Sequence, residues 1–422
     1  MDLLPPTQNS LRRNAGVEWI RAAGGVLVVM LHAGMPYLTH PLPGLIWATD
    51  SSDKSQIVNA LCWGIDGFIM PLFFLMSGYF AAQLFRQRGP AGFLKHRYQR
   101  LGIPLLLALV VILPIDLYIW VLGWIDEERV PWRTLWRLSF PDHLDASLWG
   151  FSHLWYLVYL LIYCLSAWGM SLAFHRGSDV SKGQSVLRMR DSIWDRLPSA
   201  TGLITLSGAG LIAGTVLWWQ PRIVIGFRNF PFPLWENLVY YAVPFFLGWC
   251  WKQQESTVMS RHGGLSARWL LTGAVLLGIT LASQLKWHLE NEAQPALSSI
   301  PPVLFAFFGI VTSVGLFKLA LSANVARVPV MVGYVAKGSF WIYLVHHPLG
   351  ALINIAFRPI GWPPLLEFAL TVIGVLGISL LMYEVGVRRT RLGLILNGVQ
   401  EPPLGKISTK MSEEPEQRSL AA

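Results

Sequence analysis

The chain has 422 residues, of which 53% are hydrophobic and only 14% charged, and its mean hydropathy is +0.46. That excludes a soluble globular protein and indicates an all-α polytopic membrane protein. The net charge of +9 invites a nucleic-acid reading, but most of the 33 Lys and Arg fall in alternate loops between apolar segments. This is the positive-inside pattern of a membrane protein, so the basicity reports orientation and implies no nucleic acid.

Segments long enough to cross a bilayer are predicted at about 17–38, 57–85, 101–124, 149–172, 200–219, 236–252, 268–287, 301–321, 337–357 and 365–387, about ten transmembrane helices in all. The charge bias puts both termini in the cytoplasm: a short segment over 1–16, the membrane domain over 17–387 and a flexible tail over 388–422. No cleavable signal peptide is expected, because the first apolar run carries Arg21 and His32 and lacks a small-residue cleavage site. Cys62, Cys164 and Cys250 each lie inside a predicted span without paired spacing, so neither a disulfide framework nor a metal site is expected.

The first span is the most informative. Eleven helical steps place His32 about 20° round from Arg21 and roughly 16 Å further along the axis, so the two share a face. Glu18, three residues before Arg21, reaches the same face. Ionisable groups at membrane depth are costly and mark a pathway or reacting centre, unless Glu18 and Arg21 only anchor the helix end and His32 only bonds a neighbour.

In the second span, Ser77 and Gly78 permit close helix approach or room for a bound chain. Lys95, Arg97 and Arg100 form a basic rim at the predicted cytoplasmic mouth of the third. They suit the phosphates of a cytosolic donor, though orientation alone also accounts for them. The outer loop from Ile125 to Trp149 mixes five carboxylates with Trp132, Trp136, Phe140 and Trp149, a surface suited to sugar rings or to an interfacial belt. Ser152-His153-Leu-Trp155-Tyr156 opens the fourth span at the outer interface. In the ninth, Ser339, Tyr343 and His346 lie along one face, and Pro348 frees a backbone carbonyl beside His346 and His347.

His32, His153 and His346 thus fall in the outer half or middle of the membrane, above a basic entrance. The arrangement suits a donor arriving from inside and an acceptor from outside, with a neutral imidazole taking a hydroxyl proton without a metal. Ligation of haem by two histidines leaves Arg21 unexplained.

Arg21-x10-His32, Phe73-Phe74-x-x-Ser77-Gly78, Arg97-x-x-Arg100-x3-Pro104, His153-Leu-Trp155-Tyr156-Leu and Ser339-x3-Tyr343-Leu-x-His346-x-Pro348 resemble, in order and spacing, membrane-bound acyltransferase family 3. Ser77-Gly78-Tyr79-Phe80, Leu101-Gly-Ile-Pro104, the run from Ile342 to Leu349 and Tyr383-Glu384 are similar to its branch that succinylates osmoregulated periplasmic glucans. Glu18 stands where close relatives have Asp, and Ile69 where many have Arg. The resemblance implies a multi-pass enzyme of the bacterial inner membrane that moves an acyl group, succinyl or acetyl, from cytosolic acyl-CoA to a periplasmic β-glucan. It assigns essential roles to Arg21 and His32.

On that reading His32, Arg21 and Glu18 are catalytic, and Lys95, Arg97, Arg100 and Ser77 bind the acyl donor. His153, Trp155, Ser339, Tyr343 and His346 shape the acceptor side. No cofactor is bound permanently; acyl-CoA, the glucan, the bilayer and other glucan-biosynthesis proteins are the expected partners. Two other readings stay open: O-acetylation of another surface polysaccharide, and a transporter or flippase in which the same buried charges form a relay.

Overall fold

A computed structural model describes residues 15–42, 44–137, 139–175, 203–224, 229–253, 268, 270–279, 300–323 and 328–397. The described residues are helices and short connections, without a strand. The segment before residue 15, most of the loop after His175, the later half of the predicted 268–287 span and the tail beyond Asn397 lie outside them.

The principal helices are α1 (Ala15–Ala33), α2 (Gln56–Arg97), α3 (Leu113–Asp126), α4 (Trp155–His175), α5 (Leu203–Trp219), α6 (Trp235–Gln253), α7 (Leu270–Ile279), α8 (Ile300–Ser322), α9 (Val330–Phe357) and α10 (Pro364–Met382). Six helices among the described residues are long and apolar enough to cross a membrane. One of these is a continuous run from Gln56 to Asp126 that contains two predicted spans. It breaks at Gly89, whose φ of 67° is open to glycine and strained for other residues, and Pro90 follows.

Beyond the break the turns widen twice, at Tyr98–Gly102 and at Ala108–Ile112. Pro104 and Pro114 follow these wide turns. A proline cannot donate to the carbonyl four residues back and clashes with it in an α-helix, so the preceding turn opens. Pro36 acts similarly at the end of α1: the helix stops at Ala33, short of the predicted 38, and a 3-10 turn over Met35–Tyr37 follows.

Two helix pairs define the frame. α2 packs most extensively on α6, and α1 on α9. The α2–α6 contact is closed by glycines on both sides. A Cβ on Gly78 would stand 1.9 Å from the Phe245 carbonyl oxygen, and one on Gly248 1.9 Å from that of Leu75. Backbone-to-backbone approach of this kind substitutes for the missing hydrophobic drive between membrane helices. Gly78 therefore serves packing, and Ser77 beside it bonds the Tyr156 hydroxyl at 2.7 Å. Cys62 and Cys164 are buried and Cys250 half-buried, all as free thiols.

Candidate active site

α1 and α9 run side by side in the same direction, and this alignment assembles the site. Near their beginnings Arg21 Nη2 donates to Ser339 Oγ at 3.4 Å. At the end of α1 and midway along α9, His32 Nδ1 lies 3.2 Å from His346 Nε2. Ser339, expected on the acceptor side, thus belongs to the Arg21 end.

The protonation pattern follows from the carbonyls. His346 Nδ1 lies 2.8 Å from the Tyr343 oxygen and 3.1 Å from that of Ile342, and a carbonyl only accepts, so Nδ1 carries the hydrogen and Nε2 is an acceptor. His32 Nδ1, 3.0 Å from the Val28 oxygen, must likewise donate, and it is shared between Val28 and His346. Neutral His32 therefore keeps its lone pair on Nε2.

His153 is positioned by a proline on another helix. Pro348 lacks an N–H, which leaves the Leu344 oxygen without its helical donor. His153 Nε2 supplies the missing hydrogen at 3.0 Å, and Tyr343 donates from its hydroxyl to the His153 oxygen at 2.6 Å. The carbonyl expected to be freed beside the paired histidines is thus the anchor for a third.

Two groups without an assigned role prove central. Asp116, in α3 and 1% exposed, accepts from His347 Nδ1 at 2.7 Å on one oxygen and from the Ser152 hydroxyl at 2.7 Å on the other. The His347 ring stacks between Trp120 and His153, each 15° from parallel, with centroids 5.7 and 4.8 Å away. Both residues had a signal in the sequence. A lone Asp in the apolar run Leu-Pro-Ile-Asp116-Leu demands a buried partner, and His347 adjoins His346.

Asp116, His153 and His347 each offer a ligand atom, all within 4.8 Å of one another. The ring geometry argues against a shared metal ion, which has to lie near the plane of each imidazole that binds it. The His153 and His347 rings are stacked face to face, so their lone pairs do not converge on one point. The cluster is a hydrogen-bonded network.

A pocket opens onto this network. Its wall includes His32, His153, His347, Ser152, Trp47, Trp155, Tyr159, Tyr241 and Asp66, with Met35, Leu42, Asn229 and Phe230 among the residues that complete it. Asp66 Oδ2 has no hydrogen-bond partner among the described residues. Trp132, Trp136, Phe140 and Trp149 do not line it. In their loop Trp149 donates to Asp145, Arg358 bonds Asp126, and Arg129 pairs with Glu127.

The expected donor-side residues are not brought together with the histidines. Arg100 Nη1 donates to the Leu394 and Ile395 oxygens at 2.8 and 2.9 Å, securing the short helix Arg391–Asn397. Arg97 lies over the Phe93 ring at 5.4 Å, and Lys95 is exposed. Glu18, on α1 three residues before Arg21, approaches Gly333 of α9.

The acyltransferase domain family matches residues 14–384 of the chain. The chain belongs to this family. It is similar to "Glucans biosynthesis protein C" of Salmonella paratyphi B, 27% identical over 401 residues covering 92% of this chain and 95% of the relative. The protein of that name in Salmonella typhimurium is 27% identical over 405 residues, covering 93% and 96%. No solved structure matches the chain significantly. As a member of this family the chain is a membrane acyltransferase, and one member of the histidine network, His32, lies on the same helix as Arg21.

Proposed function

We propose that this acyltransferase moves succinyl groups from cytosolic acyl-CoA to hydroxyls of a periplasmic glucan, in the inner membrane and with both termini cytoplasmic. The observation that carries the reading is the pocket. Aromatic faces from Trp47, Trp155, Tyr159 and Tyr241 and the free Asp66 oxygen surround the imidazoles of His32, His153 and His347. Flat apolar faces beside a few hydrogen-bonding groups are what a sugar ring requires.

In the mechanism His32 uses its Nε2 lone pair to move a proton at the reacting centre. Its Nδ1–H is steadied by Val28 and His346, so the ring is held in the tautomer the step needs. Arg21 with Glu18 and Ser339 forms the donor end, some eleven residues down α1, where a guanidinium suits a carboxylate-bearing acyl chain or a phosphate. Lys95 and Arg97 supply further positive charge for CoA phosphates. The glucan is given this chain by analogy with the name of its relatives.

The test is negative-ion mass spectrometry of periplasmic glucans from a deletion strain carrying the wild-type chain or His32→Ala. Wild type is expected to restore a mass increase of one succinyl group per modified sugar, and the variant, at equal membrane abundance, is not. Identical glucans in all strains would refute the succinyl-glucan reading.

A further inference from the structure

The histidines on the pocket wall are not equivalent. His32 Nδ1 is backed by the Val28 carbonyl and by the neutral imidazole of His346. His347 Nδ1 is backed by a carboxylate, Asp116, at 2.7 Å. When an imidazole takes a proton on Nε2 the new positive charge spreads over both nitrogens. A carboxylate bonded to Nδ1 stabilises it far more than a carbonyl or a second imidazole does.

His347 is also the more firmly held ring. It is stacked between Trp120 and His153, with Trp47 edge-on at 4.9 Å, which holds its Nδ1 toward Asp116. Ser152 occupies the other Asp116 oxygen at 2.7 Å, which fixes the carboxylate in turn. Since Nδ1 carries the hydrogen that Asp116 accepts, the lone pair lies on Nε2, on a ring that borders the pocket.

We propose that His347 is the catalytic base for the acceptor hydroxyl, with Asp116 and Ser152 as its positioning residues, while His32 serves the donor side of the same centre. This rests on the acyl-transfer reading above. In the step, the hydroxyl proton passes to His347 Nε2 as the oxygen forms a bond to the acyl carbonyl carbon. The carbon–sulfur bond of the thioester then breaks, and the departing thiolate takes up that proton. Ester and free thiol result, and His347 is neutral again. Throughout, Nδ1–H stays on His347 and Asp116 stays ionised.

The assay measures succinyl transfer to isolated β-glucan by the full-length protein in native membranes, across pH, for wild type, His347→Gln and Asp116→Asn. The other titratable groups facing His347 are His32 on α1, His153 before α4, His346 on α9 and Asp66 on α2, so His32→Ala is run in parallel. Thermal unfolding of each purified variant reports folding. Both network variants are expected to lose about 100-fold or more in kcat with KM changed less than about threefold. Asp116→Asn is expected to shift the pH profile as well, which loss of packing alone would not do.

A second acceptor separates base catalysis from structure. With an amino sugar whose neutral amine attacks without prior deprotonation, His347→Gln is expected to recover to within about tenfold of wild type, and His32→Ala is not. Folded His347→Gln and Asp116→Asn proteins that transfer to glucan within about threefold of wild type would overturn the proposal. So would an equal defect of His347→Gln on both acceptors. Should wild type acylate no glucan, the succinyl-glucan reading fails and labelling decides the inference separately. His347, whose ring borders the pocket, is expected to be carbethoxylated by diethyl pyrocarbonate several-fold faster in wild type than in Asp116→Asn, and an unreactive His347 would refute it.

Discussion

Arg21 and His32 lie eleven residues apart on α1, yet their surroundings differ in kind. Arg21 is exposed and Glu18 and Ser339 are half-buried, and the bond from Arg21 to Ser339 of α9 is long at 3.4 Å. Around His32 the neighbours are buried and bonded at 2.6–3.2 Å: His153, His346, His347 and Asp116, with Trp47 and Trp120 closing the faces. One end offers an exposed guanidinium to a charged ligand, the other is a closely bonded centre. Positioning side chains before reaction lowers a barrier, whereas a binding end tolerates looseness because the ligand completes it.

Substitutions test that contrast. The largest loss is expected from His32→Ala, about 10³-fold in acyl transfer at unchanged membrane abundance, read as acylated glucan per unit protein. A variant within tenfold of wild type would remove His32 from the reaction centre. Arg21→Lys comes next. It keeps the charge and loses the planar fork, so a donor-binding role predicts a rise of about tenfold in the KM for acyl-CoA with kcat nearly unchanged. A fall in kcat instead would place Arg21 at the chemistry and erase the contrast.

A smaller effect concerns how the closely bonded centre is built. In Pro348→Ala the restored N–H can bond the Leu344 oxygen and compete with His153. The destabilisation caused by His153→Gln is therefore expected to be about 1 kcal/mol smaller in Pro348→Ala than in wild type, measured as a double-mutant cycle by thermal unfolding in detergent. Additivity of the two substitutions would mean the carbonyl is not shared. The smallest change is expected at Trp136→Ala, 87% exposed in the loop and away from the pocket. Its transfer rate should stay within about twofold of wild type, whereas Trp155→Ala should raise the KM for glucan about tenfold. Equal effects would move acceptor binding out to the loop.

Much of this organisation is legible in the residues themselves. Apolar runs of membrane length fix an all-helical bundle, because a chain in lipid has to satisfy its backbone bonds within each segment. Helical periodicity places Arg21 and His32 on one face, and a proline four residues after Leu344 frees a carbonyl, since both are local consequences of helix geometry. The register between helices is not local. That Ser339 faces Arg21, that His153 takes the Leu344 carbonyl, that Arg100 secures a distant short helix and that Asp116 of α3 meets His347 of α9 all depend on which helices are neighbours and how far each slides along the other. Sequence demanded a partner for Asp116, because a carboxylate at that depth is too costly alone, and only the packing of α3 against α9 decided that the partner is an imidazole on the pocket wall.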